Sequence, residues 1–278
     1  MRETRDRGVV VALPNDPLGL IRLARSGQYP EFLDRIGRLF LSTHAEENAD
    51  ANGQGRSERY RRTEAALTAY IAGLPSNVRA DVEEAYKVVR RYVEEGEPGL
   101  GSPSARTVPF YLRVNDALRR AGSLSALETQ NPAVYRYYAS ELVPSVEKLP
   151  GKVQGVVFRG TSLPHTVIDD LVEGRTKTYA QLAPMSTSVS LPDAIAFLRP
   201  RLLAPAYGVR GPDDGREPAL MIIESKSGKL VSIGSDFARE EEVLLLHPAR
   251  FDVLAAFRGN APRDDSGINI AYVILKER

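Results

Sequence analysis

The chain has 278 residues, 42% of them hydrophobic and 26% charged, with a formal net charge of +1 at pH 7. That length and mixture suit one large domain, or a domain with a helical extension, and the near-neutral balance gives no support for a nucleic-acid partner. Cysteine is absent, which excludes disulfides and thiolate chemistry, and His44, His165 and His247 are too far apart in sequence to suggest a metal site.

The chain opens with Arg2, Arg5 and Arg7 ahead of the apolar run Val9 to Leu13, which Pro14 and Pro17 interrupt. That is a poor secretory signal. No run of about 18 apolar residues occurs, so no transmembrane segment is expected. Helical spacing follows at 21–40, with Ile21, Leu23, Ala24, Phe32, Ile36, Leu39 and Phe40. Residues 45–57, rich in Asn and Gly, read as a flexible loop. Helices are expected at 60–72 and, with Ser76 as N-cap, through Tyr92. A second Gly/Pro loop spans 96–104. The stripe Phe110, Tyr111, Val114, Leu118 and Ala121 predicts a helix over 108–121 that Gly122 ends. Asn131-Pro132 opens another, which stops near Pro144 or Pro150.

After Gly151 the pattern turns to strands, expected at 153–158, 219–224, 230–233, 242–246, 251–257 and 268–275, with helices left at 164–173 and 192–198. Helices first and strands later indicate an α+β fold.

Three short segments carry chemistry. In Val156-Val157-Phe158-Arg159-Gly160-Thr161, an arginine closes an apolar strand. Its planar, permanently charged fork suits a phosphate or ribose, and Gly160 lets a ligand approach the backbone; a surface ion pair is the plainer alternative. In Pro184-Met185-Ser186-Thr187-Ser188, strand alternation puts Ser186 and Ser188 on one face and Thr187 on the other. Hydroxyls so placed can orient a charged neighbour, although a polar edge strand reads the same way. In Phe237-Ala238-Arg239-Glu240-Glu241-Glu242-Val243-Leu244-Leu245, an acidic loop runs into an apolar strand. If the strand begins at Glu242, alternation puts Glu240 on the same face, where two carboxylates could serve a cationic transition state and a proton transfer. A solvated acidic turn is the alternative, and Glu241 is expected to point away with no role.

The order strand-Arg-Gly, Ser-Thr-Ser, Glu-x-Glu-Val-Leu resembles the arginine–serine–glutamate clade of the mono-ADP-ribosyltransferase superfamily, which includes bacterial toxins and type III effectors. The resemblance covers roughly residues 111–275, including the helix Tyr111 to Leu118 and Ala196-Phe197. It implies an N-terminal helical region followed by an ADP-ribosyltransferase-like core of two packed, mainly antiparallel β-sheets with flanking helices. The implied division is 1–57 as a partly flexible region, a candidate targeting or secretion segment, and 58–278 as the catalytic domain, helical over 58–150 and β-rich over 151–278.

The resemblance further implies NAD as co-substrate, without a metal. Arg159, Gly160 and Thr161 would bind NAD, with Arg159 on the phosphates and nearby ribose. Ser186 would orient the catalytic glutamate, Thr187 and Ser188 would shape the nicotinamide pocket, and Glu242 would stabilise the oxocarbenium-like state. Glu240 would activate the acceptor, a protein arginine, and Phe237 would recognise the substrate. One of Arg199, Arg201 and Arg210 would touch the phosphates. The implied partner is a target protein, reached as a secreted or host-delivered effector or toxin; a cytoplasmic protein is the alternative. An NAD glycohydrolase and an inactive binding module of the same fold are the rival functions.

Overall fold

A computed structural model describes residues 10–13, 17–49, 55–94, 110–198, 215–233, 241–246, 249–262 and 268–278. The predicted segments Phe237 to Glu240 and Arg199 to Arg210, and the loop 96–104, lie outside the described residues.

Among the described residues, eight strands form one hydrogen-bonded sheet. They are β1 (Val10–Ala12), β2 (Lys152–Pro164), β3 (Thr178–Gln181), β4 (Met185–Ser188), β5 (Arg216–Leu230), β6 (Glu242–Leu245), β7 (Ala249–Asn260) and β8 (Asn269–Glu277). The order is β1-β2-β4-β6-β5-β8-β7-β3, with β2 also paired to β5, so β2, β4, β6 and β5 close on themselves. Two layers result: a broad sheet β1-β2-β5-β8-β7-β3, and the short β4–β6 pair stacked on it. Most pairings are antiparallel; β1–β2 and β5–β8 are parallel.

Strand alternation gives the broad sheet two buried faces. On one, Val156, Phe158, Leu220, Ile222, Tyr272 and Ile274 pack against helices α1 (Leu18–Arg25), α2 (Tyr29–Asn48) and α10 (Leu191–Ala196). On the other, Val157, Met221, Ile223, Val273 and Leu275 meet α3 (Glu58–Ala72), α9 (His165–Val172) and the inner side chains of β4 and β6, Met185, Val243 and Leu245. A third cluster covers the outside of the β4–β6 pair, where Leu244 is buried with Tyr92, Val114, Leu118, Tyr138 and Val146. It is built by α4 (Ser76–Glu94), α5 (Phe110–Ala121), α6 (Leu124–Gln130), α7 (Pro132–Arg136), a π-helical turn (Tyr137–Leu142) and α8 (Val143–Lys148).

Several sequence expectations are corrected. The helix expected at 21–40 is two, broken where Gly27 takes φ 75° and its N–H bonds to Ala24 O. Helix α2 runs to Asn48, into the expected loop. Pro75 O accepts the first bond of α4, so Ser76 is its first helical residue rather than its cap. Of the two expected stops, Pro144 falls in the first turn of α8, just after the π turn that ends at Leu142, where a missing N–H is tolerated, and the helical run ends at Lys148, near Pro150. The strand expected at 219–224 runs over 216–230, the strand expected at 230–233 is absent because β5 ends at Leu230 and the chain turns away at Val231 to Ile233, and β1, β3 and α6 are additional.

Gly160 allows α10 to sit close. A Cβ built there would lie 1.9 Å from Ala194 O, so the approach that this glycine permits is that of the helix backbone. Gly160→Ala must displace α10 from β2. We expect a loss of about 1–3 kcal/mol, read as a lower urea midpoint with unchanged slope; an unchanged midpoint would contradict the close packing.

Candidate active site

Strand β4 lies between β2 and β6. Phe158 on β2 pairs with Ser188, while Ser186 pairs with Leu244 and Ser188 with Glu242. Opposed residues of a ladder share a face, so Ser186, Ser188, Glu242 and Leu244 point to the helical layer, and Thr187 and Val243 point to the sheet. The Ser186 hydroxyl donates to a Glu242 carboxylate oxygen across the diagonal of the ladder. Glu242 is 6% exposed. Its carbonyl accepts the Val231 N–H at 3.0 Å.

Arg159 joins this pair from β2. Its Nη1 donates to Ser186 O at 2.5 Å. Its Nε is buried and meets no hydrogen-bond partner among the described residues, a costly arrangement for a donor that a ligand acceptor would relieve. Burial holds the guanidinium below its ordinary range; the charge of Arg119 adds to that, and Tyr179, Tyr92 and Glu242 oppose it.

Two tyrosines missed in the sequence border the site. Tyr92 of α4 is 1% exposed and donates to Asn115 Oδ1 at 2.9 Å. Burial raises its hydroxyl pKa, and the charge of Glu242 adds to the rise. Burial also raises the Tyr179 hydroxyl on β3, offset by the charges of Arg159, Arg216 and Arg119. In the sequence Tyr92 is only the last residue of an expected helix. The Arg159, Arg119 and Arg216 charges together favour an anion here.

The structure thus brings together Arg159, Ser186 and Glu242. It does not add Thr187, whose hydroxyl donates to Val243 O at 2.6 Å, on the sheet side of the ladder. Ser188 is on the Glu242 side, but its Oγ accepts the Ser190 N–H at 2.9 Å. Gly160 faces α10, and Thr161 pairs with Ala219. Among the described residues, no group of three or more His, Cys, Asp or Glu could hold a metal ion, and no helix is long and apolar enough to cross a membrane.

Glu241 differs from expectation. It is fully buried, with φ 46°, a left-handed backbone rare for a side chain of this size. Strand alternation stops there, so it cannot be extended back to fix the face of Glu240. The Ser57 N–H and hydroxyl donate to its two carboxylate oxygens, the latter at 2.7 Å. Burial pushes this carboxyl from 4.5 up to about 8, with Asp193 and Glu47 adding to the rise and the Ser57 bonds opposing it. Glu47, bonded by the Ser190 hydroxyl at 2.5 Å, is itself raised by burial to about 7.

A carboxyl with a raised folded-state pKa holds its proton more tightly in the fold than in the unfolded chain. Its contribution to stability is complete below about pH 4.5 and is lost as pH rises towards 8. The urea midpoint should therefore fall from about pH 5 to about pH 8, and fall less in Glu241→Gln, which cannot ionise. Equal falls in the two proteins would contradict a raised Glu241.

No family model matches the chain, and neither does any curated protein. Solved structures do. The ADP-ribosyltransferase HopU1 of Pseudomonas syringae pv. tomato DC3000 is similar with a TM-score of 0.51 and 18% identity, over 77% of this chain and 87% of that one. The ADP-ribosyltransferase Vis of Vibrio splendidus, bound to an inhibitor, is similar with a TM-score of 0.50 and 18% identity, over 80% of this chain and 86% of that one. At such identities the likeness is one of fold, and the chain has the fold of the mono-ADP-ribosyltransferases that its arginine, Ser-Thr-Ser and Glu-x-Glu segments resemble.

Proposed function

We propose that the chain transfers ADP-ribose from NAD to a protein arginine and releases nicotinamide, acting as an effector or toxin delivered into a host cell. The observation that carries this is the Ser186–Glu242 hydrogen bond beside Arg159, whose buried Nε meets no acceptor among the described residues.

The roles follow from charge. As the C1′–N bond of the nicotinamide ribose breaks, its electron pair leaves with nicotinamide and positive charge develops on the sugar. A carboxylate fixed by Ser186 stabilises that charge without reorganising, so Glu242 is assigned the transition state and the ribose 2′-hydroxyl. Arg159 supplies the fork for the phosphates, with Arg119 and Arg216 extending the positive field. The acceptor nitrogen then bonds to C1′ and gives up its proton to the carboxylate of Glu240, the group that the family resemblance implies activates the acceptor.

Arginine as the acceptor rests on Glu240, two residues before Glu242, which the family resemblance associates with arginine targets. Glu240 and its companion Phe237 lie outside the described residues, and their roles stand on the sequence pattern. Thr161, on the Arg159 face of β2, and Ser188, on the Glu242 face of the ladder, are assigned to the walls around Arg159 and Ser186; Thr187, bonded to Val243 O, and Gly160, covered by α10, are given no part in them.

The test uses labelled NAD, a host lysate and Glu242→Gln. Label should enter protein with the wild type and fall by about 100- to 1000-fold in the variant. Arg159→Lys, which keeps the charge but loses the fork, should raise the KM for NAD by about tenfold. Undiminished labelling by Glu242→Gln would remove Glu242 from the mechanism, and nicotinamide release without labelled protein would make water the acceptor.

A further inference from the structure

Helices α3 and α4 hold the chain on both sides of the segment that leads into Glu242. On the near side, the Tyr86 hydroxyl donates to Leu230 O at 3.4 Å, Arg90 Nη2 donates to Ile233 O at 3.3 Å, and Ser232 Oγ donates to the Tyr60 hydroxyl at 2.9 Å. On the far side, the N-terminus of α3 takes over. Ser57 is its N-cap: Ser57 Oγ accepts the Tyr60 N–H at 3.1 Å and donates to Glu241 at 2.7 Å, while the Ser57 N–H donates to the other Glu241 oxygen. Arg59, the second residue of α3, donates to Val189 O at 2.9 Å and to Val156 O at 2.5 Å, which ties the same helix start to β2 and to the end of β4.

The bonds at Glu241 serve an unfavourable conformation. An L side chain with φ 46° is strained, and a buried carboxyl without partners is costly. Both costs are met by one residue 184 positions earlier in the chain. Released, Glu241 would relax towards extended backbone. That would rotate the peptide bonded to Val189, whose N–H donates to Glu241 O at 3.2 Å, and re-aim the next residue, which is Glu242.

We infer that Ser57 and Glu241 are a positioning pair: the capped start of α3 locks Glu241 in its left-handed turn and thereby fixes Glu242 against Ser186. The inference rests on the assignment of Glu242 to NAD chemistry. Neither residue touches substrate, and both act through Glu242. The helix capped by Ser57 is thus a working part of the site although it precedes Glu242 by nearly the whole domain.

The test uses the full chain with Glu241→Ala, Glu241→Gln and Ser57→Ala. A glutamine can accept the Ser57 N–H and donate to Ser57 Oγ, so it preserves the lock. In Glu241→Ala and Ser57→Ala, kcat for nicotinamide release should fall about tenfold or more, since small misplacements of a reacting group are costly. NAD should still bind with one site per chain and a Kd within about threefold of wild type, because Arg159 is untouched. Glu241→Gln should keep kcat within about threefold of wild type. Amide hydrogen exchange should quicken over 241–245 in both alanine variants and stay unchanged over β7 and β8.

Wild-type kcat in both alanine variants overturns the inference, as does a glutamine variant as impaired as alanine. A drop in NAD stoichiometry parallel to kcat would mean lost fold rather than lost positioning, and overturns it too. If Glu241→Ala does not fold, Ser57→Ala and Glu241→Gln decide by the same readouts. A wild type that never consumes NAD defeats the proposed function instead, and the exchange measurement then decides alone whether Ser57 locks Glu241.

Discussion

The four-residue ladder between β4 and β6 is the constraint on which the site depends. It carries both Ser186 and Glu242, yet hydrogen bonding attaches it to the broad sheet at few points: Phe158 opposite Ser188 on one side, Lys229 and Leu230 opposite Leu244 and Val243 on the other. Apolar burial does the rest. Val243, Leu244 and Leu245 are fully buried and point alternately to the sheet and to the helical layer. At about 1.5–3 kcal/mol per such side chain, this sequence sets the register firmly, since a slip by one residue would put Leu244 where Val243 belongs and turn Glu242 into the sheet.

Register alone does not aim a carboxylate. Glu242 sits at the first residue of β6, where strand ends ordinarily fray, and three things restrain it: the Ser186 hydroxyl, the Val231 N–H on its carbonyl, and the turn at Glu241. Arg159 reaches the same place from β2 by bonding Ser186 O, so the hydroxyl and carbonyl of one residue link a cation to an anion. Glu242 and Tyr92 are both buried, and in such surroundings fixed charges act more strongly than in solvent.

Much of this was legible in the sequence. The apolar runs ending in Arg159 and beginning after Glu242 had to be strands, the alternation of Ser186, Thr187 and Ser188 put the first and last on one face, and the family resemblance singled out Ser186 as the partner of the glutamate. What was not legible depended on distant partners. Glu241 looked idle because alternation assumes extended backbone on both sides, and nothing nearby in sequence reveals that Ser57 will bury it. Gly160 looked like room for a ligand, because no local pattern shows that the Ala194 carbonyl fills that space. Tyr92 has helical spacing whether it lines a site or a core. The break at Ser26-Gly27, by contrast, was a local signal that helical periodicity on either side had masked.

A structure with a non-hydrolysable NAD analogue bound tests the chemistry most directly. The nicotinamide-ribose 2′-hydroxyl should bond to Glu242, with Ser186 still holding that carboxylate, and the phosphates should face the guanidinium of Arg159. An analogue seated away from Arg159 and Glu242, with the Ser186–Glu242 pair undisturbed, would contradict the assignment of this ladder as the place where NAD is cleaved.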